Sequence, residues 1–533
     1  MGAPRLIEAR LLLLLAAVAA AGGRVAAQDT RAETRPESQG PATSPETIPI
    51  PRDHEGPTFD LSLELALRMG RLNNTDLRAA ELVPLAAIEN LRGAQALFEP
   101  EVFGAAGYGA SESPTRNIFT PSAERVTLDG ELGWRQRVAT GGLFELTYGA
   151  EKLRQTVVIP GFPNRQYTNV VAATLVQPLL RGAWSDYTLR DVQSSEAQLA
   201  GARRRFERSV QDTLLAVVRA YWELVFAREN YRVVVQSLEL SLEQLRITNE
   251  RIRVRELAQR DRVADEADVA RRREELLAAA NLILAREDAL RRLVFHNDDG
   301  TMWGKVLRPV TGIPGDQEPP DVDWRVPAQV ARLRRPDLMA LQADVLLAEV
   351  QLRTAENEVL PRLDLSGTFN ASGIRSEFSN AISDAGDLQF PDWTLRLEMS
   401  VPVGNTAAVS ARERARLDLE RVRRQLYSKE LDVDREVRDA VREVRTLAER
   451  IRAAKETVRL AETNLDTEQQ KLRVGIGRIF DVQKANQDLR EARSRLLRNQ
   501  LDFQIARVNL LYVQGLLEDP AAVGSGTEGT GPR

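Results

Sequence analysis

Residues 217–252 read VVRAYWELVFARENYRVVVQSLELSLEQLRITNERI, and within them Val217, Leu224, Tyr231, Leu238, Leu245 and Ile252 stand seven residues apart. A sustained seven-residue apolar repeat makes α-helices supercoil left-handedly, because the stripe must keep facing a neighbour. The same frame returns 220 residues later as Val437, Val444, Ile451, Val458, Leu465 and Leu472. A companion stripe of Leu214, Tyr221, Val235 and Leu242 strengthens the first copy, whereas in the second Val441 and Ala448 give way to Lys455 and Glu462. The offset carries past a turn, where Val269, Leu276, Ile283 and Leu290 match Leu489, Leu496, Phe503 and Leu510. Upstream, an offset of 261 aligns Asp76-Leu77, Leu91-Arg92 and Pro100 with Asp337-Leu338, Leu352-Arg353 and Pro361. The chain therefore reads as a tandem duplication, each copy running helix, strands, long helix, turn, helix. Periodicity alone favours a rod-like coiled coil, but the segments between the helices argue otherwise.

After Pro361 the period changes from seven to two. Leu363, Leu365, Gly367, Phe369 and Ala371 alternate with polar or small residues, and Trp393, Leu395, Leu397, Met399 and Val401 alternate with Thr394, Arg396, Glu398 and Ser400. Residues 372–392 between them are turn-rich, so the pattern predicts a strand pair with one apolar and one charged face. Such a pair suits either a transmembrane barrel wall or a half-buried soluble sheet. The equivalent region of the first copy, Pro100 to Pro178, is 37 residues longer than Pro361 to Pro402. Val126, Leu128, Gly130, Leu132 and Trp134, then Phe144, Leu146 and Tyr148 after Thr140-Gly141-Gly142, mark an added hairpin. Helices that enter and leave on one side of a membrane require an even number of crossings, and two or four both satisfy this.

Composition narrows the function. With 73 basic and 77 acidic residues the formal net charge is -4, which offers no footprint for nucleic acid. Aromatic residues make up only 5%, a balance that fits long, narrow helical seams better than one thick core. There is no cysteine, hence no thiol nucleophile, no disulfide and no attachment of lipid through a cysteine, and only His54 and His296 are present. No acid, base, nucleophile or metal-ligand constellation emerges, so neither an enzyme nor a cofactor or metal site is expected. Residues 1–27 read as a secretory signal, with Arg5 and Arg10 before the apolar run Leu11–Ala21 and Val25-Ala26-Ala27 before a cut at Gln28. No later apolar run reaches the roughly 20 residues of a helical span, so any entry into a membrane must be as β-strands. The expected organisation is signal 1–27, disordered linker 28–57, repeat 1 over 58–296, an inter-repeat segment 297–328, repeat 2 over 329–518 and a disordered tail 519–533. Within the repeats the strands are expected over 101–178 and 362–402, and the helical hairpins over 184–295 and 406–516.

From about residue 58 to 518 this arrangement resembles the TolC-type outer-membrane efflux channels of Gram-negative bacteria. The resemblance rests on Leu61-Ser62-Leu63-Glu64-Leu65-Ala66-Leu67 leading to Asn73-Asn74-Thr75-Asp76-Leu77-Arg78, and on its counterpart Arg335-Pro336-Asp337-Leu338. It includes the strand exits Gln177-Pro178-Leu179-Leu180-Arg181-Gly182 and Val401-Pro402-Val403-Gly404, and the stretch Ala220-Tyr221-Trp222-Glu223-Leu224. It also includes the turn Leu472-Arg473-Val474-Gly475-Ile476-Gly477-Arg478-Ile479-Phe480-Asp481-Val482. The resemblance implies a homotrimeric α+β membrane protein, in which a long α-helical barrel continues into a transmembrane β-barrel in the outer membrane. It implies an exit duct for efflux or type I secretion, joined by a periplasmic adaptor to an inner-membrane RND or ABC pump. Twelve strands per trimer follow from the resemblance, and 18 if the added hairpin joins the wall. The alternative is a periplasmic adaptor protein, which normally carries one hairpin flanked by lipoyl-like and small-barrel domains.

In this family acidic residues just after the second hairpin turn line a constriction that holds the resting channel shut. The matching position is Asp481, whose plainer role would be an N-cap. Three residues on stands Lys484, placed to pair with it. At the first turn Arg255 replaces the glycine found at Gly475, while Asp261 keeps the acid equivalent to Asp481. The expectation is an entrance closed by Asp481–Lys484 and by contacts among Arg473, Arg478 and Asp261.

Overall fold

The computed structural model describes residues 57–112, 124–155, 163–256, 258–295, 303–313, 323–474 and 476–517. The expected signal 1–27, the linker 28–57 apart from Pro57, and the tail 519–533 lie outside the described residues. The chain opens with β1 (Thr58–Leu61), α1 (Leu63–Asn73) and α2 (Thr75–Gln95), followed by β2 (Glu101–Glu112), β3 (Glu124–Arg137), β4 (Leu143–Gln155) and β5 (Arg165–Pro178). Short α3 (Trp184–Thr188) leads to the hairpin of α4 (Arg190–Arg253) and α5 (Gln259–Val294). The second half runs β6 (Val306–Pro309), α6 (Arg325–Arg334), α7 (Pro336–Glu358), β7 (Arg362–Arg375), α8 (Phe378–Gly386), β8 (Pro391–Ser400), α9 (Thr406–Arg473) and α10 (Ile479–Val513).

Local chemistry explains the breaks. The Ser62 side chain accepts the Leu65 N–H at 3.1 Å and starts α1, and the Asn74 side chain accepts the Leu77 N–H at 2.9 Å and starts α2. Asn74 is itself extended (ψ 122°), so one residue ends α1 and begins α2. Arg335 does the same between α6 and α7, because Pro336 at the first helical position forces the residue before it out of the helical region. The single expected helix from residue 184 instead divides at Leu189, after Trp184 with a left-handed φ of 68°. Both passages from strand to helix turn on such residues, Gly182 and Trp184 in the first and Gly404 and Asn405 in the second.

The seven-residue seams are where the helices meet. Val217, Leu224 and Leu238 of α4 and Val437 and Val444 of α9 are at most 2% exposed. Nearer the turns Leu245, Ile252, Leu465 and Leu472 are only half-buried. Glu462, where the second stripe turns charged, is paired across the hairpin with Arg493 at 2.7 Å. At about 1.5 Å per residue, α4 with its 64 residues is about 96 Å long. Hairpin partners α5 and α10, with 36 and 35 residues, cover only half of α4 and α9. The other halves pack in a row α2, α4, α7, α9. Part of the inter-repeat segment packs into the core. β6 pairs in parallel with β1, and Leu307 is fully buried in the core around Tyr221 and Leu224.

A buried charge cluster joins the second row of helices. Arg335 is fully buried and donates to Asp337 (2.6 and 3.0 Å), Glu436 (2.5 Å) and the Val513 carbonyl (3.4 Å). Lys429 closes the group at 3.3 Å from Asp337 and 3.6 Å from Glu436. Burial alone would raise the Asp337 pKa, but the hydrogen bonds and charge of Arg335, with Arg208 and Lys429, hold it well below the usual carboxylate range. Burial, then the hydrogen bond to Asp212, pushes the Tyr512 hydroxyl up to about 12. Because the folded pKa of Asp337 is depressed, its stabilisation is complete above the unfolded value and is lost as pH falls through the folded one. Arg335→Ala is expected to destabilise the chain by about 3–5 kcal/mol, since it strands buried carboxylates. In urea unfolding followed by helical circular dichroism, this deficit should be full above about pH 4 and shrink in stronger acid. Arg335→Met combined with Asp337→Leu should recover most of it, leaving Lys429 and Glu436 to pair.

Candidate channel wall and hairpin tips

Six strands form one antiparallel sheet in the order β2-β3-β4-β5-β7-β8. The added hairpin is therefore part of the sheet itself, with β3 and β4 between β2 and β5. It turns at Val138–Gly142, where the Val138 N–H donates to the Gly142 carbonyl at 2.8 Å and Gly141 takes a φ of 93°. Directly opposed residues share a face, so the register sorts the whole sheet. One face carries Val102, Tyr108, Leu128, Leu132, Trp134, Leu146, Tyr148, Val171, Leu175, Leu365, Phe369, Trp393, Leu395 and Leu397. The other carries Asp129, Glu131, Arg135, Glu145, Thr147, Glu151, Thr168, Thr174, Asp364, Ser366, Arg396 and Glu398. Side chains such as Val102 (71%), Leu132 (60%) and Trp393 (73%) stand exposed on the apolar face. On the polar face Arg135 pairs with Glu101 at 2.8 Å. A sheet apolar on one side and ion-paired on the other is built to separate hydrocarbon from water.

The turn-rich stretch 372–392 holds a helix that the sequence reading missed. α8 packs on the apolar face at the sheet end far from the long helices. There Phe378 meets Tyr167 edge-on with ring centroids 5.9 Å apart, and Arg375 pairs with Asp384 at 2.6 Å. Ala381 and Ala385 are fully buried, and Gly373 lies against the Ala381 carbonyl with no room for a side chain. The four-residue spacing of Ala381 and Ala385, and of Phe378 and Ile382, was the available signal.

At the opposite end of the molecule the hairpin turns close alike. The Glu256 N–H donates to the Arg251 carbonyl at 2.8 Å, and the Ile476 N–H to the Lys471 carbonyl at 3.1 Å. In the first turn this wrap places the residue before the donor in the left-handed region. Arg255 takes that place with a φ of 63°, and its counterpart Gly475 lies outside the described residues. Arg478, with extended backbone, is the N-cap residue of α10, and Asp481 stands at the third helical position. Asp481 thus is not the capping residue, and as a negative charge in the first turn it is favoured by the helix dipole. It is half-buried, while Lys484, Arg473 and Arg478 are exposed, and Asp261 lies in the first turns of α5. The expected Asp481–Lys484 pair is not formed within the protomer. Lys484 is exposed, and such a pair at a helix surface is worth only about 0.2–0.5 kcal/mol.

A cleft of about 580 Å³ opens between the two hairpins near these turns, lined by Ser241, Gln244, Asp268, Phe480, Lys484 and Arg490 among others. Gln483 donates to Asp265 at 3.0 Å across it, and Ser241 to Asp268 at 2.7 Å. Arg272 is buried against Asp268 and Glu275. Burial, then the nearby Arg272 charge, depresses the Arg490 pKa. These polar groups sit off the seven-residue frame, so periodicity gave no sign of them.

Residues 328–515 match the family model described as outer membrane efflux protein. The chain thus carries that family's signature in its second half, and over most of its length it has the fold of the TolC-type channels. The Campylobacter jejuni CmeC outer membrane channel superposes with a TM-score of 0.63 at 15% identity, covering 86% of this chain and 87% of that one. The Vibrio cholerae outer membrane protein VceC gives 0.63 at 16% identity, covering 85% and 96%. Protein CyaE of Bordetella pertussis is 30% identical over 233 residues, 42% of this chain, and the match spans less than half of that relative, 46% of its length.

Holding a side-chain-bearing residue left-handed costs about 1–2 kcal/mol. Arg255→Gly is therefore expected to tighten the first hairpin turn by about 1 kcal/mol. Slower hydrogen exchange of the Glu256 amide in the variant would show it, and unchanged exchange would mean that the arginine side chain compensates.

Proposed function

We propose that this chain forms, as a homotrimer, a passive exit duct through the outer membrane and periplasm of a Gram-negative bacterium. The observation that carries this reading is the two-faced sheet at one end of helices about 96 Å long. Its outer strands β2 and β8 each have an unpaired edge, and every residue of β8 is exposed. Open edges are unstable in lipid, and three copies joined β8 to β2 would close a wall of 18 strands, six from each chain. The apolar face then meets lipid and the charged face lines the lumen. The twin repeat supports the same closure, since alternating helix and strand blocks from both halves feed one sheet. The helical part reaches through the periplasm, where a periplasmic adaptor links it to an RND or ABC pump of the inner membrane. The cleft between the hairpin tips is the surface offered to such a partner. A role as the adaptor itself fits less well, because both halves of the chain contribute to one sheet.

Labelling of introduced cysteines tests the wall. Trp134→Cys and Tyr148→Cys should react with a lipid-soluble reagent, and Glu145→Cys only with a hydrophilic one; protection of the first two from lipid would remove the hairpin from the outer surface.

At the tips, three copies bring Asp481, Lys484, Asp261, Arg473, Arg478 and Gly475 together around the entrance. Among the described side chains no carboxylate lies within ion-pair distance of Arg473, Arg478 or Lys484, which supports a ring less acidic than the family pattern. In planar bilayers the wild type is expected to be blocked weakly by multivalent cations. Lys484→Asp should strengthen the block and Asp481→Asn should remove what is left. Strong wild-type block indifferent to both substitutions would place these residues away from the pore.

A further inference from the structure

The apolar face of the sheet ends in a group of cations at the rim far from the long helices. Lys152 and Arg154 lie two residues apart on β4, Arg165 lies directly opposite Arg154 on β5, and Arg375 lies across Tyr167 on β7. All four share the face of Leu146, Tyr148 and Val171. The polar face would be the ordinary place for such residues, and a lipid-facing position is otherwise costly for Arg and Lys. Position along the strand removes the difficulty, because the cations occur only at the last two register steps, above the apolar band.

Their partners are few. Arg375 is paired with Asp384, and the Lys152 ammonium stands 5.8 Å from the centre of the Tyr167 ring. Lys152, Arg154 and Arg165 are exposed, and among the described side chains no carboxylate lies within ion-pair distance of them. Glu377, at the start of α8, accepts instead from Asn380 at 3.2 Å. Neither connecting segment, 113–123 or 156–162, contains an acidic residue, and the acids at this rim of the same face, Glu112 and Glu124, stand opposite each other on β2 and β3, on the side of Arg154 away from Arg165. Like charges directly opposite on neighbouring strands are destabilising, so Arg154 beside Arg165 calls for an anion between them. Guanidinium pairs match the oxygens of phosphate. Beside the cations, α8 turns Phe378 (47% exposed) and Ile382 (41%) outward from the same face. A cationic rim directly above an apolar, aromatic-bearing wall has the two-part chemistry of an anionic amphiphile.

We propose that Lys152, Arg154 and Arg165 bind the phosphate-bearing headgroup of an outer-leaflet lipid, whose acyl chains lie on the apolar face below and beside α8. The inference rests on the wall reading given above. It concerns one protomer's own sheet, since β4, β5 and β7 are interior strands.

The test uses the full-length protein purified in detergent and titrated, with native mass spectrometry as the readout, against a bis-phosphorylated glycolipid, phosphatidylglycerol, phosphatidylcholine and inorganic pyrophosphate. The glycolipid is expected to bind most tightly and phosphatidylcholine least. Arg154→Gln combined with Arg165→Gln should weaken glycolipid binding by roughly tenfold or more, while Arg125→Gln, at the same height on the polar face, should leave it unchanged. Equal binding by the double variant, or an equal loss in Arg125→Gln, would overturn the proposal. Pyrophosphate bound as tightly as the glycolipid would make this a site for a free anion and also overturn it. A Leu146→Cys variant exposed to a lipid-soluble reagent separates the two levels. Without labelling the wall reading itself fails, whereas labelling without any headgroup preference sinks only this inference.

Discussion

A helix of 64 or 68 residues needs an apolar partner along its whole length, and the hairpin mates of α4 and α9 stop halfway, at 36 and 35 residues. Everything else in the fold answers that shortfall. The seam halves nearest the turns are covered by α5 and α10, and the remaining halves by α2 and α7, which arrive from the start of each half of the chain. Those covering helices must change direction where the core is thickest. Asn74 and Arg335 make the two corners, one with a capping side chain and the other ahead of a proline. The buried Arg335 cluster is costly to desolvate, and its role is to fix the α6–α7 corner against α9 and α10 rather than to add stability.

The sheet obeys a different constraint. Its strands lie between helices that all attach at one end, so each excursion must return, and strands come in pairs. Alternation then gives two surfaces of opposite character from one chain segment. Exposed ion pairs such as Arg135–Glu101 contribute little to stability, and their significance is the polarity they confer on one face.

Much of this was legible in the sequence because it is periodic. The sevens of Val217 to Ile252 located the seams, and the twos of Val126 to Trp134 located an added hairpin. What escaped was aperiodic. α8 is a nine-residue helix inside a stretch rich in turn formers, and its register shows only as two i, i+4 pairs. The break at Leu189 and the left-handed Trp184 ahead of it have no sequence signature, tryptophan rarely adopting that conformation. At the tips the sequence correctly singled out Arg255 as a departure from glycine, and the backbone there is left-handed all the same. The cleft between the hairpins comes from α4, α5, α9 and α10 approaching one another, which no local pattern encodes.

The added hairpin also changes how the sheet meets the helices beneath it. Four helices lead into or out of the sheet, α2, α4 by way of α3, α7 and α9, and they pack side by side. At about 9 Å between axes they span roughly 27 Å. Six strands about 4.8 Å apart span roughly 24 Å, whereas four would span only about 14 Å. A four-stranded sheet must therefore lean its strands steeply to stretch over the same footing, while six can stand closer to upright. The left-handed residues at the two strand-to-helix passages are the joints at which that inclination is set, so a change in strand number is felt first as a change of slope there, before it alters any helix below.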